Sequence, residues 1–196
     1  MKAYFLQRII SYLVDLFIIT LAVSIITFFI PTSEAYNNAV KESSEASSSY
    51  IAGDIDSDEY IRIYGETNYT IARESVIFTV VNLLFIVAYF GTYSYYNNGQ
   101  TLGKKLMKIK ISTIDGKNPG HFTLILRTIV VYGVITNALS LLMLPFITAD
   151  MYIYTIGSLE IIQSIFVFVT ILMVMFRKDG RGLHDFISNT KVVTIK

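Results

Sequence analysis

The chain has 196 residues, 53% of them hydrophobic and 16% charged, and a mean hydropathy of +0.54. That is more apolar than a soluble domain of this size tolerates, and it describes an integral membrane protein. The absence of cysteine and tryptophan, with only two histidines, excludes disulfide frameworks, thiolate metal sites and cysteine nucleophiles. A net charge of +1 says little, so charge informs only by its position along the chain.

At 1.5 Å per residue, about 20 apolar residues cross a hydrocarbon core of about 30 Å, and four runs are long enough. The first is 9–30, stopped by Pro31. It is too long for a signal-peptide core, contains Asp15 and is followed by further apolar runs, so it reads as a retained span. Arg8 at its head and Asp15 within it share one helix face with Ser11 and Tyr12 between them, a polar stripe that avoids lipid. A charge at membrane depth costs at least about 2.5 to 3.5 kcal/mol, so it is paired, solvated in a cavity or protonated. Asp15 is therefore either an ion-binding site or a clamp between helices, and its expected resting partner is Arg8 or Arg127.

Residues 31–74 carry three basic residues against nine acidic ones. The Ser-rich stretch Glu42 to Ser49 predicts disorder, and Tyr60 to Tyr69 a short helix or strand resting on the bundle. The second run is 75–93, interrupted by Asn82, with Tyr89, Tyr93, Tyr95 and Tyr96 forming an aromatic belt where it leaves the membrane. The connection 94–127 holds Lys104, Lys105, Lys108, Lys110, Lys117 and Arg127 against Asp115 alone.

Within that connection, Gly99-Gln100-Thr101-Leu102-Gly103-Lys104-Lys105 lacks the glycine spacing and the Ser or Thr after lysine that a phosphate loop needs. It predicts instead a tight turn and a membrane-surface segment, with Leu102, Leu106 and Met107 buried beneath snorkelling lysines. The alternation in Lys108 to Thr113 before Asp115-Gly116 predicts a strand and turn. The β-branched run Lys191 to Lys196 is a second strand able to pair with it. Between them lie the third run, 128–149, carrying Asn137 and Ser140, and the fourth, 156–176, entered through Glu160, Gln163 and Ser164. Interhelical hydrogen bonds account for such groups.

The fold class read from these elements is an all-α membrane protein. It is a four-transmembrane-helix bundle with a small cytoplasmic two-stranded β element and a long extracellular loop, in a single domain over 1–196. Of the 16 Lys and Arg, 13 fall before the first span, in 94–127 or in the tail 177–196, which puts those segments and both termini in the cytoplasm and 31–74 outside.

Arg8 with Asp15, the Gly99 to Lys105 motif before a Lys-rich strand, Arg127 at the head of the next span, and Gly182-Leu-His184-Asp185 leading into Thr190-Lys-Val-Val together resemble the RDD family of prokaryotic membrane proteins. The resemblance covers almost the whole chain apart from 31–74, and it maps the family's arginine to Arg8 and its two aspartates to Asp15 and Asp185. It implies a multi-pass inner-membrane bundle whose role is poorly defined, with transport of an unknown ligand suggested and cation/proton antiport attributed to at least one member.

Two functional readings follow. One is a transporter of a small solute or cation, completed by a homo-oligomer or membrane partner protein, using a polar network of Arg8, Asp15, Arg127, Asp185 and Glu160. The alternative is an accessory or scaffold subunit presenting the acidic loop to a partner. His184 and Asp185 are placed to meet Arg8 or Arg127, either as an ordinary cluster closing the bundle floor or as a gate. No nucleophile elbow, catalytic carboxylate pair or zinc motif is present, so no enzyme activity, cofactor, metal or nucleic acid is expected, and the lipid bilayer is the surrounding medium.

Overall fold

The structure, a computed structural model, describes residues 2–195; Lys196, at the end of the second predicted strand, lies outside them. α1 (Phe5–Thr27) starts from an extended Tyr4, whose amide donates to Gln7 Oε1 at 3.0 Å. Its buried residues, Ser11, Asp15 and Ile19, recur every four positions and trace one stripe. Leu13, Leu16, Phe17, Leu21 and Ile25 are exposed, as a lipid-facing surface requires.

Residues 31–74 are not a disordered loop. α2 (Glu34–Ala52) and α3 (Ser57–Glu74) form an antiparallel helical hairpin. Local chemistry builds it: Ser33 Oγ accepts the Tyr36 amide, Gly53 ends α2 at φ +82°, and an Asp56 carboxylate oxygen accepts the Glu59 amide. These are strong caps. The serines, read above as disorder, return their hydroxyls to their own helix, Ser47 to the Ser43 carbonyl and Ser48 to that of Ser44. Buried Ala39 and Ala46 let the backbone of α2 approach α3, while buried Gly65 of α3 faces the Ala149 carbonyl at the start of α9. Tyr50 stacks on Tyr60 at 4.6 Å near the turn, and Tyr69 anchors the hairpin by donating to the Ile147 carbonyl at 3.1 Å.

α4 (Val76–Ile86) runs on through a π-helical stretch (Val87–Tyr93) and α5 (Ser94–Tyr96), giving a continuous apolar helix Val76–Tyr96. After it come α6 (Leu102–Leu106), β1 (Ile109–Thr113), α7 (His121–Val131), α8 (Val134–Met143), a 3-10 turn (Leu144–Phe146), α9 (Ala149–Phe176), α10 (Leu183–Ile187) and β2 (Thr190–Thr194). Three helices, α1, Val76–Tyr96 and α9, are each long and apolar enough to cross a membrane. The third predicted span is broken: α7 and the α8 segment are bent by 66° at Gly133, which sits at φ +64°, where other residues are strained. Arg127 consequently lies inside α7 rather than at the head of a straight span, and α9 starts earlier than predicted.

The expected strands do pair, antiparallel, from Ile109 opposite Thr194 to Thr113 opposite Thr190. The segment before α1 joins them, Lys2 bridging Val193 and the Ala3 amide donating to the Val192 carbonyl at 3.1 Å. Ala3, Ile109, Ile111, Leu124 and Val192 form a buried apolar cluster, and this small sheet assembly carries α6 against α1 and α10 against α7.

Candidate functional site

Two fully buried carboxylates organise this end of the molecule. Asp15 Oδ1 accepts from Tyr89 Oη at 2.7 Å and from the Gly103 amide at 2.7 Å, and Oδ2 from Thr101 Oγ1 at 2.5 Å. Lys104 Nζ lies 3.7 Å from Oδ2 and donates to Thr101 Oγ1 at 3.1 Å. Asp15 is thus paired, but with Lys104 and not with Arg8 or Arg127.

The Gly99 to Lys105 motif exists to make this cradle. Thr101 caps α6, accepting the Lys104 amide. A Cβ on Gly103 would lie 2.2 Å from the Ser11 carbonyl oxygen and 2.8 Å from Asp15 Oδ1, so only glycine lets α6 press onto α1. Gly99, at φ +82°, has the Ile111 carbonyl 2.3 Å from where its Cβ would be and accepts the Ile111 amide at 2.9 Å. Gln100 donates to the Ile109 carbonyl at 3.0 Å, so both tie the motif to β1. The membrane-surface reading fails here because Lys104 is buried against Asp15. Burial pushes its ammonium down to about 8, against the opposing pull of Asp15.

Asp185 is the second centre. Its Oδ1 lies 3.1 Å from Arg127 Nη2 and accepts from Thr190 Oγ1 at 3.1 Å; its Oδ2 lies 3.5 Å from Arg8 Nη1 and 3.4 Å from His184 Nε2, and accepts the Gly182 amide at 3.2 Å. Arg8 also donates to the Val192 carbonyl at 3.3 Å. Burial works to raise the Asp185 carboxyl, but Arg127, His184 and Arg8 outweigh it and hold it well below the usual carboxylate range. His184 is driven down by burial and by Arg127, so its ring is neutral. Arg181 closes the cluster, donating to the Asp185 and Thr190 carbonyls, each at 3.0 Å.

A family model of the RDD family matches residues 2–189. The chain belongs to the RDD family. No curated protein and no solved structure matches it. In this RDD protein the arginine and two aspartates of the sequence resemblance do not form one triad. Arg8 goes to Asp185, while Asp15 takes its cation from the glycine motif.

Glu160 is exposed on α9 and joins neither network. Tyr89, read above as part of an aromatic belt, is an Asp15 ligand that also accepts the Leu102 amide at 3.1 Å. Sequence reasoning missed it because the π-helical stretch rotates it inward, where Gly91 allows Ile125 to pack closely.

Two cavities border α1, one before and one after Asp15, which lines neither. One, of about 320 Å³, is lined from α1 by residues between Phe5 and Tyr12 and also by Lys104, Arg127, Tyr132, His184 and α9 residues. The other, about 840 Å³, starts at Thr20 on α1 and includes Ser24, Asn82 and Asn137. The α1 stretch between Tyr12 and Thr20, about 12 Å at 1.5 Å per residue, holds Asp15 and the buried Ile19.

Proposed function

We propose that this RDD protein is a multi-pass inner-membrane transporter of a small solute or cation, not an enzyme, in which Asp15 is the exchange site. The basic sheet end faces the cytoplasm and the acidic hairpin lies outside, an orientation supported by the charge asymmetry of the connections. The observation that carries the reading is the position of Asp15, a buried carboxylate on the stretch of α1 between the residues that line one cavity, Phe5 to Tyr12, and those that line the other, from Thr20 onward.

Lys104 supplies the coupling. While its ammonium is protonated it occupies Asp15; loss of that proton, at a pH close to its depressed value, leaves the carboxylate free for a cation entering from the Thr20 side. Release of the proton from the Lys104 ammonium and uptake of a cation at the Asp15 carboxylate amount to exchange. A homo-oligomer or membrane partner completes the pathway, since three long helices and one bent pair are few to wall a continuous route.

The test is cation flux into proteoliposomes under a pH gradient. Asp15→Asn should abolish exchange, and Lys104→Met should leave cation movement uncoupled from the proton gradient. Coupled flux unchanged in both variants rules the mechanism out.

A second reading, a scaffold subunit, draws support from the folded hairpin, whose tip exposes Ile51 and the acids Asp54, Asp58 and Glu59. Charge reversal at those three acids should then release a co-purifying protein while leaving flux intact.

A further inference from the structure

Five buried side-chain polar atoms have no hydrogen-bond partner among the described residues: Arg8 Nε, Ser94 Oγ, Arg127 Nε, Thr170 Oγ1 and His184 Nδ1. Four of the five belong to residues lining the 320 Å³ cavity. Native interiors rarely leave such groups unpaired, so a cluster of four around one cavity calls for a ligand.

Its chemistry follows from the atoms. The two guanidinium Nε–H groups donate and call for acceptor oxygens. The carboxylate beside His184 Nε2, 3.4 Å away, puts the ring proton on Nε2 and leaves Nδ1 an acceptor, which calls for a hydroxyl. Thr170 serves either role. Arg8, Lys104 and Arg127 bring three positive charges to the wall, and Asp15 and Asp185 behind them supply two negative ones, which leaves an excess of one positive charge. Apart from Ser11, Tyr12 and Tyr132, the rest of the wall is apolar, with Phe5 and Ile9 of α1 and Phe166, Val167 and Ile171 of α9.

We infer that the cavity binds the headgroup of an anionic lipid that carries hydroxyls, its phosphate against Arg8 and Arg127, a hydroxyl on His184, and its acyl chain leaving between α1 and α9. The cavity is the one that borders α1 before Asp15, so a bound headgroup would line that approach, but the assignment rests on the cavity's own unpaired polar atoms and holds whether or not the chain moves a solute.

The experiment is native mass spectrometry of the full chain in neutral detergent, titrated with phosphatidylglycerol, phosphatidylcholine or inorganic phosphate. One phosphatidylglycerol per chain should be retained at least tenfold more tightly than phosphatidylcholine, and millimolar inorganic phosphate should not displace it. Arg127→Gln should weaken retention tenfold or more. Val167→Trp, which fills the cavity without touching a charge, should do the same and keeps the test open if Arg127→Gln does not fold. Equal retention of the two lipids, unchanged retention in Val167→Trp, or displacement by phosphate alone would overturn the assignment, the last by making this a site for free anions.

Discussion

Replacing Gly103 with alanine tests the geometry around Asp15 at its tightest point. The added methyl would stand 2.2 Å from a backbone oxygen, Ser11 O, and ordinary contact begins at 3.4 Å, so α6 must retreat from α1 by about 1.2 Å. No side-chain rotation relieves a clash with backbone. That retreat carries the Gly103 amide from 2.7 Å towards 4 Å from Asp15 Oδ1, beyond hydrogen-bonding reach. It also pulls on Thr101, two residues earlier, which donates to Oδ2. Hydrogen bonds to a charged group are worth about 1.5 to 3 kcal/mol each, and a buried carboxylate stripped of partners costs about 3 to 5 kcal/mol. Gly103→Ala should therefore destabilise the protein by about 3 to 5 kcal/mol, measured by dodecyl sulfate denaturation in mixed micelles and followed by circular dichroism. Gly157→Ala is the control: it lies within α9 with nothing within 4 Å of its Cβ, and it should be neutral or stabilising by up to about 1 kcal/mol. If the two variants unfold at the same detergent fraction, the cradle described for Asp15 is wrong.

Lys104 titrates at about 8 when folded against 10.5 when free, so above pH 8 the unfolded state binds more protons and stability should rise with pH, by up to about 1.4 kcal/mol per unit. Comparing wild type with Lys104→Met between pH 8 and 9.5 should show that slope in the wild type alone. Asp185→Asn leaves Arg8 and Arg127 buried without their counter-charge and should cost about 3 to 5 kcal/mol. Because the folded Asp185 carboxyl is depressed, its stabilisation is present above about pH 4 and is lost as the pH falls below that, so acidification should hurt the wild type more than Asp185→Asn. Amide hydrogen exchange across Glu34–Ala52 should be slow, as a capped and packed helix requires; exchange at random-coil rates there would remove the hairpin.

What was legible in the sequence followed local pattern. Alternation in Lys108 to Thr113 and the β-branched run Lys191 to Lys196 specified a strand pair, seen as Ile109–Thr113 with Thr190–Thr194, and long apolar runs specified α1 and α9. The shared face of Arg8 and Asp15 correctly marked both as buried-side residues, but periodicity within one helix carries no information about a partner 88 residues away. Serine content misled for a similar reason: Ser47 and Ser48 lower helix propensity in isolation, yet in a capped helix packed on α3 through Ala39 and Ala46 their hydroxyls bond back to their own backbone. The bend at Gly133 and the inward turn of Tyr89 depend on backbone angles that hydropathy does not encode.

The attachment of β2 to the start of α1 sets an order of events during synthesis. At roughly 5 to 20 residues per second, α1 enters the membrane roughly 4 to 18 s before Gly103 exists to meet Asp15. Roughly 10 to 40 s pass before Val192, 184 residues after Arg8, leaves the ribosome. For all that time an arginine and an aspartate on the first helix are without their final partners, and Asp185, which neutralises Arg8, arrives almost last. The nascent helix must spend that interval with both charges unneutralised by their final partners, so the insertion machinery handles a helix with more unpaired polar groups than the finished protein contains. Truncation anywhere before Thr190 would leave that helix permanently in the unfinished state, a substrate for membrane quality control.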